Sequence, residues 1–344
     1  MARIALDAMG GDFAPNATIA GALLALQELD DAHRVQLVGQ QQVIEKEIDS
    51  LLAGELAAAA GARNRIDIVN APDVIEMSEK PVNAIRKKPN SSMMTGLRLQ
   101  VEGASDAFVS AGSTGAQMAA SAMLLKLHPG LTRPAIATVF PTSREPVIVL
   151  DSGANVDCSV NELLQFAWLG HVYAECVFGR ATPSVGLLSI GEEAEKGNAV
   201  VKEANGVFMN AGFNFHGNVE GRDLLAGASD RGPIDVVVCD GFVGNVVLKF
   251  YEAVGPMILG LLGAHPGIDK KNVTAALKSL DSSEYGGAPL LGVKGVSMIC
   301  HGNSSPRAIK NAIKAAVRAV ETGMNAQIGE RLATASSANG GQVS

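Results

Sequence analysis

Seven short stretches of this chain set glycines beside residues that hydrogen-bond or carry charge. They are DAMGGD (7–12), SAGSTGA (110–116), LDSGAN (150–155), GEEAEKGN (191–198), DGFVGN (240–245), APLLGVKG (288–295) and HGNSSP (301–306). SAGSTGA offers the hydroxyls of Ser110, Ser113 and Thr114 with the open backbone of Gly112 and Gly115, a combination that suits an oxyanion such as phosphate. It suits an ordinary Ser/Thr helix cap as well. In DAMGGD a tight turn accounts for Gly10 and Gly11 but leaves the two acids, Asp7 and Asp12, unexplained. Lys196 stands beside a glycine turn and reads either as a partner for an anion or developing oxyanion, or as a solvated lysine among glutamates. Asn245 reads as an amide for a ligand carbonyl or as a helix cap, and His301 as an acid/base or a capping group. Asp151, Asn155, Asn198, Asp240, Gly302 and Asn303 are further candidates for binding substrate or phosphate.

What is missing narrows the chemistry. No G-x-S-x-G elbow occurs, and no cysteine has the setting of a nucleophile, so a covalent enzyme intermediate is not indicated. No dinucleotide fingerprint is present, which argues against NAD. His33, His128, His171, His216 and His265 share no metal-ligand spacing. The expectation is a site without cofactor or metal that binds an anion and lets it react.

The elements that must position these residues repeat one plan: an apolar run, a glycine turn, then a helical pattern. The clearest case is VVVCDGFVGNVVLKFYEAV (236–254), and the same plan recurs from residues 4, 108, 147, 185 and 296. Strands alternating with helices predict an α/β fold with a largely parallel, locally mixed sheet and helices on both faces. Parallel strands would gather their carboxyl ends along one crevice.

Local signals add detail. Pro15 suits the start of the first helix, and Pro81 and Pro89 divide residues 73–105 into two short helices. TRPAIATVFPT (132–142) and REPVIVLD (144–151) read as strands able to pair as a hairpin, and FNFHGNVEGRDLL (213–225) as an edge strand and a loop. Ser159 and Glu162 form a capping box for a helix apolar on most faces that ends at Gly179. Ser305-Pro306 opens the final helix, striped by Ile309, Ile313, Val317 and Val320. No linker is evident, so residues 1–332 read as one compact α/β catalytic unit, 254–291 as a protruding helical subregion near the membrane, and 333–344 as a flexible tail.

The formal net charge is −7, which excludes a general nucleic-acid binder. Cys158, Cys176, Cys239 and Cys300 make no C-x-x-C pair, and Cys239 and Cys300 read as core thiols of a cytoplasmic protein. No signal peptide is read at the N-terminus, because strand and turn begin at Ile4. No apolar run approaches the ~20 residues of a spanning helix. VGPMILGLLG (254–263), with Val273, Leu277 and Leu280 beyond it and Lys270, Lys271 and Lys278 beside them, is the candidate for peripheral membrane contact; a buried helix pair explains it equally. Arg86, Lys87 and Lys88 form the densest basic cluster of the acidic chain.

Taken together and in order, the seven motifs closely resemble the phosphate acyltransferase family of bacterial phospholipid synthesis, over roughly Ile4 to Val320. The resemblance implies a fold like that of isocitrate and isopropylmalate dehydrogenases, a homodimer, and the joining of inorganic phosphate to the acyl group of acyl-[acyl-carrier protein]. It implies that Lys196 and Asn245 are the catalytic pair; His301, from its own place at a strand end before a helix, is a further catalytic candidate. It also implies peripheral contact with the membrane and with a membrane-bound glycerol-phosphate acyltransferase. Carrier proteins of this kind are expected to be acidic, which points to Arg86, Lys87 and Lys88 for docking. The alternatives are a phosphate acetyltransferase-like enzyme using short acyl-CoA and a non-catalytic module that docks synthesis enzymes at the membrane.

Overall fold

The computed structural model describes residues 1–263 and 285–339. In chain order the elements begin β1 (Arg3–Asp7), α1 (Asn16–Glu28), β2 (Arg34–Gly39), α2 (Gln41–Ala53), a 3-10 helix (Ala57–Arg65), β3 (Ile66–Asn70), α3 (Pro81–Lys87), α4 (Ser92–Val101), β4 (Ala107–Ser110) and α5 (Thr114–Leu124). There follow β5 (Ala135–Ile136), β6 (Thr138–Phe140), β7 (Val147–Leu150), α6 (Val160–Phe178), β8 (Ser184–Leu188), α7 (Ala199–Phe208), β9 (Asn214–Val219), α8 (Gly221–Ala226), the short pair β10 (Ala228–Ser229) and β11 (Gly232–Pro233), β12 (Val236–Val238) and α9 (Gly241–Gly263). The chain closes with β13 (Ala288–Leu291), β14 (Val296–Ile299), α10 (Pro306–Glu321) and α11 (Met324–Asn339).

Residues read from sequence as one unit group into two, Met1–Gly130 with Tyr285–Glu330, and Leu131–Glu284 with Arg331–Ser344. Each is assembled from separate stretches of chain, so no linker composition marks the division. In the first unit the strand order is β3-β2-β1-β4-β14-β13. All neighbours are parallel except β13 and β14. In the second the order is β6-β7-β12-β8-β9, parallel except for the predicted β6–β7 hairpin. The mixed, largely parallel α/β class is therefore correct. The single sheet with one common strand edge is replaced by two main sheets and the small β10–β11 pair, because local apolar periodicity says which segments are strands but not which ones pair.

In the first unit α10 packs on α1 at a point where a β-carbon on Gly21 would lie 2.5 Å from Cβ of Ile309. Ile309, Ile313 and Val317 of the predicted stripe are buried there. In the second unit VVV is the middle strand, fully buried, as its unbroken apolar run requires. Phe140, Val147, Val149, Val219, Ile234 and Val237 form a core onto which Leu248 of α9 closes.

Local signals hold at several points. The Ser159–Glu162 capping box forms, and Gly179 ends α6 in the left-handed region at φ 67°. Ser305 caps α10 with Pro306 in its first turn. Pro81 opens α3, and Pro89 lies between α3 and α4. Three readings are corrected. The segment after the β9 edge is a short helix, α8, whose turn is closed by Glu220 and Asp223. The polar tail is helical to Asn339, because α11 carries on through small residues of adequate helix propensity. The apolar run after β12 does reach spanning length: Gly241–Leu262 is long and apolar enough to cross a membrane by length and composition, with 6% of its most apolar window buried. Lys249, Glu252 and Pro256 break the run in sequence, but none of them ends α9. Residues 264–284, with Lys270, Lys271, Val273, Leu277, Lys278 and Leu280, lie outside the described residues.

Candidate functional site

In the first unit the motifs meet where β1, β4 and β14 end. Asp7, the last residue of β1, is 2% exposed. Its Oδ2 accepts the Ser110 hydroxyl at 2.8 Å and its Oδ1 accepts the Met9 amide at 3.2 Å. Burial pushes this carboxyl above the usual carboxylate range, against hydrogen bonds from Ser92, Ser110, Met9 and Gly10. The Ser110 hydroxyl also accepts the Gly112 amide at 3.0 Å. Ser110 is thus engaged inside the turn. Ser113 caps α5, accepting the Ala116 amide at 3.5 Å. Thr114 is exposed at the first helical position, and a β-carbon on the next residue, Gly115, would meet Pro81 at 2.8 Å.

The turn after β1 is tied to the turn after β14: the Asp12 amide donates to the Gly302 carbonyl at 2.7 Å. Gly10 has no room for a β-carbon, which would lie 2.6 Å from Asp7 Oδ2 and 2.8 Å from the Gly112 nitrogen. Asp12, His301 and Asn303 are exposed on these turns, and the His301 carbonyl accepts the Ser304 amide at 3.0 Å. The structure therefore brings together Asp7, Gly10, Gly11, Asp12, Ser110, Gly112, Ser113, Gly302 and Asn303, motifs that lie far apart in sequence.

In the second unit the organising residue is Asp151, at the end of β7. It is fully buried, and its Oδ1 accepts the amides of Ile136 at 3.0 Å and Ala154 at 3.1 Å. Its Oδ2 accepts the Asn155 amide at 2.6 Å and the Asn155 side chain at 2.9 Å. Burial raises this carboxyl too, against those same bonds. Asp151 and Asn155 fold the LDSGAN loop, with Asn155 also donating to the Pro134 carbonyl at 2.8 Å.

That loop seats the start of α9. Asp240 accepts the Val243 amide at 2.8 Å and so holds the first turn. Asn245 is exposed one turn in, and its side chain lies 3.4–3.5 Å from where a β-carbon on Gly153 would be. Capping of α9 thus falls to Asp240 rather than Asn245, which leaves the Asn245 amide for another role. In the turn before α7, Asn198 is the cap, accepting the Val201 amide at 2.9 Å. Lys196 is exposed two residues earlier, its amide donating to the Glu193 carbonyl at 3.0 Å.

A cavity of about 400 Å³ opens between these turns. It is lined by the loop of Val156 and Cys158, by Leu188, Ser189 and Ile190 after β8, by Gly197, Asn198, Val200 and Val201, and by Asp240 and Val243. Lys196 and Asn245 each lie within two residues of its lining. Ser189 is the residue that sequence reasoning missed. Its hydroxyl is buried without a hydrogen-bond partner among the described residues, although its position just after an apolar strand was visible. Arg86 and Lys87 are exposed on α3, whereas Lys88 bonds the Val74 carbonyl at 2.7 Å and pairs with Glu79.

The family model described as "Fatty acid synthesis protein" matches residues 2–327. A phosphate acyltransferase from Desulforamulus reducens is 49% identical, covering 96% of this chain and 98% of its own. One from Heliobacterium modesticaldum is 48% identical, covering 96% and 97%. Among solved structures, a phosphotransacetylase from Staphylococcus aureus aligns with TM-score 0.59 at 17% identity, covering 93% of this chain and 94% of its own. A 4-hydroxythreonine-4-phosphate dehydrogenase from Klebsiella pneumoniae aligns with TM-score 0.53 at 14% identity, covering 93% and 98%. The structural matches speak for the fold alone; the sequence matches, at this identity and over nearly all of both chains, go further, and the chain belongs to the phosphate acyltransferase family.

Proposed function

We propose that this chain forms acyl phosphate from inorganic phosphate and an acyl thioester carried on acyl carrier protein, as a supply step for phospholipid synthesis. The observation that carries this reading is the cavity of the second unit, flanked by the Lys196 turn and the start of α9, in a chain of this family. A phosphate oxygen attacks the thioester carbonyl carbon, a tetrahedral oxyanion forms, the carbon–sulfur bond breaks, and the phosphate proton leaves with the thiol. Phosphate is itself the nucleophile, so neither a serine nor a cysteine is required. The Lys196 ammonium and the Asn245 amide stabilise the oxyanion. Within the first unit, Thr114 of SAGSTGA and the Gly302–Asn303 turn, with His301 beside the latter, are exposed candidates for binding an oxyanion.

The finer partners follow from the same reading. The protein works as a homodimer in the cytoplasm and meets the membrane, where a membrane-bound glycerol-phosphate acyltransferase takes the product. Support for peripheral contact comes from α9, whose Phe242, Val246, Phe250, Met257 and Leu261 are 53–71% exposed at spacings of four and seven residues, one apolar stripe.

The test is to supply phosphate with acyl-carrier protein or with acetyl-CoA and trap acyl phosphate as its hydroxamate. Efficient turnover of the carrier thioester supports the proposal. Turnover of acetyl-CoA alone would favour the acetyltransferase alternative, and none with either donor would leave only a docking role.

A further inference from the structure

The walls of the cavity beside Lys196 are more apolar than phosphate chemistry needs. Its buried lining residues are Leu163, 2% exposed, and Cys239, 5% exposed. Leu188, Val200, Val201 and Val243 stand around them. Its exposed lining includes Ile190, 81% exposed, and Val156, 63% exposed. Side chains of this kind gain most when a ligand covers them with methylene groups. The thiols belong to the same apolar surface: burial pushes Cys158 up to about 12 and Cys239 well above its usual range, so neither acts as a nucleophile.

The polar lining is nearly all engaged. Asn198 and Asp240 cap their helices, and Asp157 is exposed. That leaves the enclosed hydroxyl of Ser189, for which the described residues supply no partner. A buried hydroxyl left unpaired is costly, and a ligand oxygen would relieve it. The wall therefore suits a long apolar body with one polar atom. The pantetheine arm of a carrier, with two amides to satisfy, suits it poorly.

We infer that this cavity seats the acyl chain, that the Ser189 hydroxyl meets the carbonyl end, and that Val200 and Val201 on the first turn of α7 set the chain length accepted. The inference rests on the acyl-phosphate reading and adds to it the site of chain selection. At about 400 Å³ the cavity accepts a chain only up to a limit.

The experiment measures kcat/KM for butanoyl, octanoyl, dodecanoyl and hexadecanoyl carrier protein in the wild type and in Val201→Phe, Val200→Phe and Val201→Ala. The readout is the dodecanoyl-to-butanoyl ratio, since each methylene excluded from an apolar wall costs about fourfold. Either phenylalanine should lower the ratio about tenfold or more, and Val201→Ala should move the preference toward longer chains. A ratio unchanged in all three variants overturns the inference. So does an equal fall at every chain length in variants that melt like wild type, because the cavity would then hold a part common to all donors. Calorimetric binding of an unreactive dodecanoyl thioether separates the two readings. Binding weakened by Val201→Phe in a protein that makes no acyl phosphate keeps the pocket and overturns the reaction.

Discussion

Gly244, in the first turn of α9, lies against the main-chain carbonyl of Asp151 with no room for a β-carbon between them. Gly241 is equally constrained, since its β-carbon would fall 2.7 Å from both Asp151 Oδ2 and the Asn155 carbonyl. The glycine spacing of DGFVGN is thus set by Asp151 of another loop, through its main-chain carbonyl at Gly244 and its carboxylate at Gly241, and it fixes where Asn245 stands beside Gly153. Gly244→Ala should push α9 off the loop. Overpacking of this kind costs about 1–3 kcal/mol, and turnover should fall at least tenfold because oriented groups misplaced by about 1 Å lose that much and more. Gly255→Ala in the same helix meets nothing within 4 Å. It should raise stability by about 0.5–1 kcal/mol from helix propensity. Thermal melts and hydroxamate assays on both variants check this; a Gly244→Ala enzyme as active and stable as wild type would show the contact to be slack.

Lys196 and Asn245 are both exposed, and neither is part of the second unit's core. Their replacement by alanine should therefore leave the melting temperature near wild type. Each should lower kcat by about 100- to 1,000-fold, the usual cost of removing one oxyanion donor. The double variant should fall well short of the product of the two losses, because groups that act on the same oxyanion are not additive. Near-wild-type turnover in either single variant would remove that residue from the mechanism.

Much of the site was legible in sequence because its parts are local. Strand, glycine turn and helix cap occupy contiguous residues, so Ser305, Ser159 and the turn glycines announce themselves. What was hidden depends on pairing between distant segments. SAGSTGA looks like a free phosphate cradle until β4 lies beside β1 and Asp7 claims the Ser110 hydroxyl. Asn155 and Asn198 read as ligand groups in sequence, and the loop and cap that they also hold show only in the fold. Ser189 shows the converse: it stood in no motif, and only the arrangement around it leaves its hydroxyl enclosed and unpaired. The length of α9 was missed because two charges and a proline interrupt its apolar run without interrupting its backbone.

The buried carboxyl of Asp7 makes a pH prediction. Its pKa is raised in the folded protein, chiefly by desolvation, above the unfolded value near 3.8. The folded state then holds the proton more tightly than the unfolded chain does. The group's favourable contribution is present below the unfolded pKa and is lost as pH rises through the folded one. Asp7→Asn keeps the shape and removes the charge, and the Ser110 and Ser92 hydroxyls can turn to accept from its amide. Relative to wild type, the variant should gain stability as pH rises above about 4. Melting temperatures across that range give the comparison; a constant difference, or one that shrinks with rising pH, would mean that Asp7 does not titrate across this window as a buried acid.

The basic cluster on α3 divides into two roles. Lys88 is tied to the Val74 carbonyl and to Glu79, which it holds below the usual carboxylate range. Arg86 and Lys87 project from the last turn of the helix and are exposed. If an acidic carrier docks here, the exposed pair steers it and Lys88 only braces the loop. Arg86→Glu with Lys87→Glu should raise the apparent KM for acyl-carrier protein about tenfold or more at low salt, reverse its salt dependence and leave kcat nearly unchanged, because rim charges act mainly on association. The effect should fade toward 1 M salt, where the Debye length shrinks to about 3 Å. Lys88→Ala should instead alter stability with little change in the salt dependence of KM. An apparent KM unmoved at low salt in the doubly reversed variant would place carrier docking on another surface.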